Sequence, residues 1–260
     1  MGRKTDYRSR IYNSYYSSHW KHFHSVDRRE YELIAKVSRK KWRFLLPGNK
    51  GARIIDIACG GGHFLYFLQK EGYTNTQGID ISPQMAVFAR TMSIANVTEA
   101  NLFSYLPKHK NEFDFIVAND VIEHLKKDEV LRFLDLIHGA LRPGGRMFIS
   151  TCNSQSAFGS FVRYIDFTHE VSFNSVSLGQ ILRVTGFERV RIFADKPVAH
   201  DIRSAIRTAL WNILDKVFRF YFVIARGTGR GLRKYQDIFT PGIFAVGDKP
   251  IEKPQKKKSQ

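Results

Sequence analysis

The chain has 260 residues, of which 43% are apolar, 25% charged and 13% aromatic. That length fits one large α/β domain with helical additions, whose core stands without disulfides or metals, and the composition excludes collagen-like, coiled-coil and largely disordered classes. The net charge of +17 is unevenly placed: residues 1–50 carry 13 Lys and Arg against 4 Asp and Glu, residues 51–200 carry 15 of each, and residues 201–260 carry 13 against 5. A neutral body between two basic flanks points to an anionic partner: nucleic acid, an acidic lipid surface or a phosphorylated substrate.

Residues 1–50 form a basic, aromatic segment expected to be helical. Its start, MGRKTDYRSR, lacks the apolar run of a signal peptide. No stretch reaches the roughly 18 apolar residues a membrane span needs. Two cysteines, Cys59 and Cys152, are too few for a disulfide framework or a zinc cluster, and they fit a reduced, cytoplasmic setting. No His, Asp or Glu spacing indicates a metal site.

Residues 53–58 (RIIDIA) are short, apolar and β-branched, the pattern of a buried strand. CGGGHFLYFLQKEG follows as a glycine turn opening into a helix that ends near Gly72. TQGID (76–80) reads as a second strand, and Ser82-Pro83 starts a helix with Ser as N-cap and Pro in its first turn. FDFIVA (113–118) is a third strand. A helix at about 127–140 ends at Arg142-Pro143-Gly144-Gly145, and RMFIST (146–151) is a further strand. FERVRIFA (187–194) and GIFAVGD (242–248) are expected to pair antiparallel at one edge. Strands alternating with helices predict a parallel, doubly wound sheet. The span between the last two strands is too long for a hairpin loop and needs structure of its own. The end, KPQKKKSQ, is a basic tail expected to be disordered over 249–260.

Ligands of doubly wound folds bind at the carboxyl ends of the strands. Gly60, Gly61 and Gly62 let a ligand approach the backbone there. The third glycine of a dinucleotide motif and the Gly-Lys-Ser/Thr of a P-loop are both missing. Instead an acid, Asp56, sits in the first strand and another, Asp80, ends the second.

IIDIACGGGHFLYFL, GIDIS, FDFIVANDVIEHL and LRPGGRMFIST, in this order, resemble the motifs of class I S-adenosylmethionine-dependent methyltransferases over about residues 50–195. The resemblance implies a Rossmann-like seven-stranded, mostly parallel sheet with an antiparallel edge strand, and S-adenosylmethionine as cofactor. It implies that Asp80 receives the ribose hydroxyls, that Ile81 and Leu102 flank the adenine, and that Asn101 meets its edge. The backbone from Ala58 through Cys59 and Gly60 to Gly62 would pass beneath the amino-acid part, with Asp56 and Asn119 beside it. Ala58 stands where the family usually has glycine. Asn119-Asp120-Val121-Ile122 lacks the prolines of base-amino methyltransferases, which argues against a nucleic-acid acceptor.

The D-V-x-E-H-L string resembles small-molecule, quinone and sugar methyltransferases, and Asp166-Phe-Thr-His169 resembles a loop of glycan- and small-molecule-modifying members. The resemblance implies His169 as general base, Asp166 as its orienting or substrate-binding partner, and His124 as the second candidate or a residue that holds the loop. An imidazole titrating near neutrality suits proton removal from a hydroxyl. The reading is O-methylation of a sugar hydroxyl on a lipid-linked or surface glycan. A quinone or other small-molecule ring hydroxyl is the alternative, and a nucleic-acid-binding protein on this scaffold a second.

Tyr12, Tyr15, Tyr16 and Trp20 are placed to close the site as a lid or to pack on the sheet edge. Residues 201–225 have helical periodicity, with Ile202, Ile206, Ala209, Ile213, Val217, Phe220 and Ile224 on one side. Trp211, Leu214, Phe218 and Phe222 fall on the other, near Arg203 and Arg207. Such a helix suits an acidic membrane surface, which would make the protein peripheral on the inner face of the membrane. A homodimer seam or a buried helix is the rival.

Overall fold

The structure, a computed structural model, describes residues 7–23, 27–94, 96–227 and 237–251. Most of the expected basic tail therefore lies outside the described residues. One sheet contains β1 (Ile54–Ile57), β2 (Thr76–Asp80), β3 (Val97–Glu99), β4 (Phe113–Asn119), β5 (Leu141–Cys152), β6 (Glu188–Ala194) and β7 (Gly242–Asp248). Their spatial order is β3-β2-β1-β4-β5-β7-β6. All pairs are parallel except those of β7, which runs antiparallel to both β5 and β6 and so lies one place in from the edge. This is the Rossmann-like architecture.

The helices are α1 (Tyr7–Tyr12), α2 (Lys21–Phe23), α3 (Arg28–Trp42), α4 (His63–Lys70), α5 (Pro83–Thr91), α6 (Leu102–Tyr105), α7 (Lys127–Ala140), α8 (Gly159–Tyr164), α9 (Ser175–Val184) and α10 (Ile202–Arg226), with a π-turn at Tyr16–Trp20. Alternate strand residues point to opposite faces. Ile54, Phe115, Val117 and Phe148 pack with Tyr31, Phe64 and Phe67 on one side. Ile55, Ile116, Met147 and Ile149 pack with Phe133, Leu134 and Leu178 on the other. The apolar runs of the strands reflect burial on both faces.

Local details differ from the sequence expectations for physical reasons. Ser82 occupies the N-cap of α5, but its side chain makes no capping bond. Asp80 Oδ1 accepts from Ser82 N at 2.8 Å instead, so the acid that ends β2 also secures the next helix. The Arg142–Gly145 turn is a bulge inside β5: Leu141 stands opposite Phe113 and Arg146 opposite Phe115, and the four residues between loop out. The segment 28–42 is not part of a lid. It is an outer-layer helix packed on α4, and the buried Tyr31 donates its hydroxyl to Gly61 O at 2.6 Å, bracing the glycine turn from behind.

Of the two faces of α10, the Trp211, Phe218 and Phe222 side turns toward the body, where Phe218 and Phe222 meet Phe239 with ring centroids 6.0 and 5.6 Å apart. The Ile202–Ile224 side faces outward. None of the helices among the described residues is long and apolar enough to cross a membrane.

Candidate active site

The strand order reverses between β1 and β4, which opens a crevice at their carboxyl ends. The turn from β1 into α4 fills its floor. Ala58, Gly60 and Gly62 all have left-handed backbones, with φ of 54°, 52° and 80°. Gly62 is doubly constrained, because a Cβ there would lie 2.7 Å from Ile94 Cδ1. Ala58 holds the same conformation with a methyl group, at a cost glycine would avoid.

A cavity of about 540 Å³ spans this crevice, within the usual size of small-molecule sites. Among its walls are Ala58, Gly60, Asp80, Ile81, Ser82, Asn101, Leu102, Asn119, Asp120 and His124. A second cavity of about 360 Å³ shares Ala58, Gly60, Asn119 and Asp120 with it and reaches Asp56 and Cys59. The expected cofactor residues Asp56, Ala58, Cys59, Gly60, Asp80, Ile81, Asn101, Leu102 and Asn119 therefore line these two adjoining spaces, and Gly62 caps the helix behind them.

Asp80 is buried, with Oδ2 accepting from Gly60 N and Oδ1 from Ser82 N, each at 2.8 Å. Desolvation raises its pKa, and those two amides oppose the rise. Asn101 Oδ1 accepts from Phe103 N at 2.9 Å, capping α6, so its amide group is the part left for a ligand. Cys59 packs its sulfur toward Gly78, and burial pushes its thiol well up, which leaves it inert.

Buried polar atoms on these walls without a hydrogen-bond partner among the described residues include Asp56 Oδ1, Ser82 Oγ and Trp42 Nε1. The smaller cavity is lined by three aspartates and by no Lys or Arg. An unpartnered carboxylate oxygen in an acid-rich floor suits a cationic ligand end. Asp80 and Ser82 suit a polyol at the other end. The residues thus fit S-adenosylmethionine, which carries an ammonium, a sulfonium and a ribose.

The three expected catalytic residues come together, but in unequal positions. His124 lines the large cavity; Asp166 and His169 are not among its walls. Thr168, fully buried, links them. Its hydroxyl donates to Asp166 Oδ1 at 2.7 Å and lies 2.7 Å from His124 Nδ1. Having given its proton to the carboxylate, the hydroxyl accepts from His124. This assigns the imidazole proton to Nδ1 and leaves the lone pair on Nε2.

Burial first, and then the neighbouring His169, push the His124 pKa down to about 4, against an opposing pull from Asp166. His169 sits edge-on to His124 with ring centroids 4.7 Å apart, and its Nδ1 is 3.0 Å from Val162 O. Its pKa is also lowered by burial. The expectation that His169 faces the reacting group is not what this placement favours: His124 is among the walls of the cavity and His169 is not.

Asp166 Oδ2 accepts from Tyr15 at 3.0 Å, and His19 Nε2 lies 3.5 Å from it. The N-terminal segment is thus strapped over the site by polar contacts. Arg8 forms a two-pronged pair with Glu129 at 2.7 and 2.9 Å, and Tyr7 donates to Glu170. Arg8, Tyr12, Asn13 and Tyr15 line the large cavity. Tyr16 instead packs against Phe88, 5.9 Å between centroids, outside that cavity. The side chain of Trp20 lies outside the described residues.

Glu123 is also buried and accepts from Thr151 Oγ1 at 3.0 Å. Desolvation and then Asp120 push it up to about 8, so it is protonated at neutral pH. Asp120, open to the cleft but set deep in the fold, is raised by desolvation. Two clusters, Glu123–Cys152–His169 and His124–Asp166–His169, hold donor atoms within 4.8 Å of one another. Several of those atoms are committed to protein hydrogen bonds, including His124 Nδ1 and Asp166 Oδ1.

Sequence reasoning passed over Thr168, Asp120 and Arg8. Asp120 was visible as an acid directly after the apolar run of β4; Thr168 and Arg8 gave no signal.

A family described as a methyltransferase domain matches residues 26–192. The ubiquinone biosynthesis O-methyltransferase of Xylella fastidiosa strain 9a5c is 29% identical over 108 residues, 40% of this chain and 43% of that protein. Phosphoethanolamine N-methyltransferase 1 of Zea mays is 30% identical over 199 residues, 71% of this chain and 34% of that protein. The chain thus spans less than half the length of these relatives. Among solved structures, an S-adenosylmethionine-dependent methyltransferase from Archaeoglobus fulgidus superposes with a TM-score of 0.61 at 21% identity, covering 94% of this chain and all of that one.

Proposed function

The chain belongs to the S-adenosylmethionine-dependent methyltransferases, with S-adenosylmethionine as its cofactor, and from that premise we propose that it O-methylates a hydroxyl, with His124 as general base. The observation that carries the reading is the Asp166–Thr168–His124 chain, which assigns the proton to Nδ1 of an imidazole that lines the cavity.

Asp80 and Ser82 would hold the ribose end of the cofactor, Ile81 and Leu102 would flank its base, and Asp56 with the Ala58–Gly62 backbone and Asn119 would receive its amino-acid end. When bound, the cofactor supplies an activated methyl group. His124 Nε2 takes the acceptor's hydroxyl proton as the oxygen becomes nucleophilic, and with its pKa lowered to about 4 it contributes at the lower end of the roughly 10²–10⁴-fold of general bases. Asp166, through Thr168, holds the imidazole in the needed tautomer and favours the imidazolium that forms. His169 packs against His124 and fixes its plane. Tyr12 and Tyr15 cover the site and exclude water.

The acceptor we favour is a sugar hydroxyl on a lipid-linked or surface glycan: Arg8, Asn13 and the two tyrosines give the cavity roof several polar atoms for a polyol. Such an acceptor would be met at the inner face of an acidic membrane, from the cytoplasmic side. The ubiquinone relatives favour a second reading, a quinone-ring hydroxyl.

Transfer of labelled methyl from S-adenosylmethionine into fractionated cell extract tests both. Label in the lipid-linked glycan fraction, in an alkali-stable ether and lost in His124→Ala, is the expected result. Label in free quinone moves the acceptor to the second reading. Label only on nitrogen, in amines or in nucleic-acid bases, overturns O-methylation.

A further inference from the structure

The parallel strands end on one side of the sheet, and that side carries the active site. Because β6 is parallel to them and β7 antiparallel, the insertion between them leaves and re-enters the sheet on the same side. α10 is therefore carried on the side of the sheet that holds the active site, beyond the β7–β6 edge. α8 follows the end of β5 and is carried there too. The two are bridged: Asn153 Nδ2 donates to Ile238 O and Thr240 O, each at 2.8 Å, and Phe239 between them packs under α10.

Both elements turn large apolar side chains to solvent. On α10, Ile202, Ile206, Ile213, Val217, Phe220 and Ile224 fall on one stripe and are 54–81% exposed. The 25-residue helix makes that stripe about 37 Å long. On and beside α8, Phe158, Phe161, Tyr164 and Phe167 are 55–82% exposed. A soluble monomer rarely shows an apolar surface of this extent without a partner for it.

Charge identifies the partner. Arg203 borders one side of the α10 stripe and Lys216 the other, and the chain carries +17 overall. A second copy would set these basic borders against their own like charges. An anionic bilayer satisfies both features at once: apolar side chains enter the headgroup–acyl boundary while Lys and Arg meet lipid phosphates.

We infer that the outward face of α10 and the aromatic ridge of α8 together form a docking surface for an anionic phospholipid bilayer, which sets the cavity mouth against the membrane. This rests on the proposed lipid-borne acceptor for its purpose, but the surface stands on its own observations. The α8 ridge runs in sequence directly into Asp166–His169, the segment that holds His124 through Thr168.

The test uses the full chain with two vesicle preparations, phosphatidylcholine alone and phosphatidylcholine with about one-third phosphatidylglycerol. Wild type co-sediments with the anionic vesicles and not with the neutral ones, and high salt weakens the binding. The double variant Ile213→Glu with Phe220→Glu, on the outward stripe and away from the cavity, loses vesicle affinity by at least about tenfold, and calorimetry shows unchanged S-adenosylmethionine binding. Phe161→Glu gives a smaller loss. The inference is overturned if wild type does not bind the anionic vesicles or if the double variant binds them as well as wild type does. It is also overturned if light scattering shows a dimer that the double variant breaks. Vesicle binding together with label only in soluble metabolites would sink the acceptor reading and leave the surface intact.

Discussion

Replacing Thr168 by Val removes one hydroxyl and almost no volume, which isolates the hydrogen-bond chain behind His124. The hydroxyl makes two 2.7 Å contacts, one to a carboxylate oxygen and one to an imidazole nitrogen. The site is fully buried, so no water takes its place. The bond to the carboxylate contributes about 1.5–3 kcal/mol, and leaving the imidazole N–H unpaired costs about 1–3 kcal/mol more. Asp166 retains its bond from Thr168 N at 2.8 Å, which tempers the loss. A net destabilisation of about 3 kcal/mol follows, or a fall in Tm of roughly 6–12 °C for a chain of this size. Thr168→Ser keeps the hydroxyl and costs only about 1 kcal/mol for the lost methyl. Nitrogen chemical shifts of His124 give the second readout: the Nδ1–H tautomer in wild type and in Thr168→Ser, a mixture in Thr168→Val. Methyl transfer by Thr168→Val falls about 10²-fold, at the lower end of a general base's contribution, while cofactor affinity is unchanged. A Thr168→Val protein with wild-type stability and an unaltered His124 tautomer would refute the reasoning.

Asp80→Asn turns an amide N–H toward one of the two backbone donors that the carboxylate accepts, so S-adenosylmethionine affinity by calorimetry falls at least about tenfold; a change within twofold would contradict the assignment. Ala58→Gly relieves the left-handed backbone at φ 54° and is offset in part by glycine's chain entropy, so denaturant unfolding shows a gain of up to about 1 kcal/mol. Glu123 has a folded pKa raised to about 8, so the folded state holds a proton that the unfolded chain releases near 4.5; that stabilisation is complete below pH 4.5 and lost as pH rises through 8. His124, lowered to about 4, slopes the other way but only below about pH 6.5. Melting curves between pH 6.5 and 9 therefore show wild type losing stability while Glu123→Gln stays flat, and parallel curves would refute the buried-acid account.

The parts of the fold that the sequence displays are those with dense, periodic signals. β1, the glycine turn and α4 are legible because RIIDIACGGGHFLYFL moves from a β-branched run through glycines to an amphipathic helix without a break. β3 is not, because it has three residues and only Val97 is buried, so no alternation exists to read. α8 escapes for a related reason: its aromatics face solvent, and its sequence, GSFVRY, carries no buried stripe. The two faces of α10 were legible as faces, but periodicity does not say which one packs; Phe239, far along the chain, decides that.

In the site, the acids and glycines of the cofactor crevice stand out by type and spacing. The order of His124 and His169 relative to the cavity does not, because it depends on how the 153–169 segment folds back over β4 and β5. Thr168 is silent in sequence, since a threonine beside Asp and His carries no sign of being fully buried between them.

The most direct test of the account is a crystal structure with S-adenosylhomocysteine. The expected complex has the ribose on Asp80, the base between Ile81 and Leu102, and the sulfur facing a space bounded by His124 Nε2, with Tyr12 and Tyr15 closed over it. A ligand whose sulfur faces away from His124, or a Thr168 hydroxyl not bonded to His124, would contradict the central claim that this histidine takes the acceptor's proton.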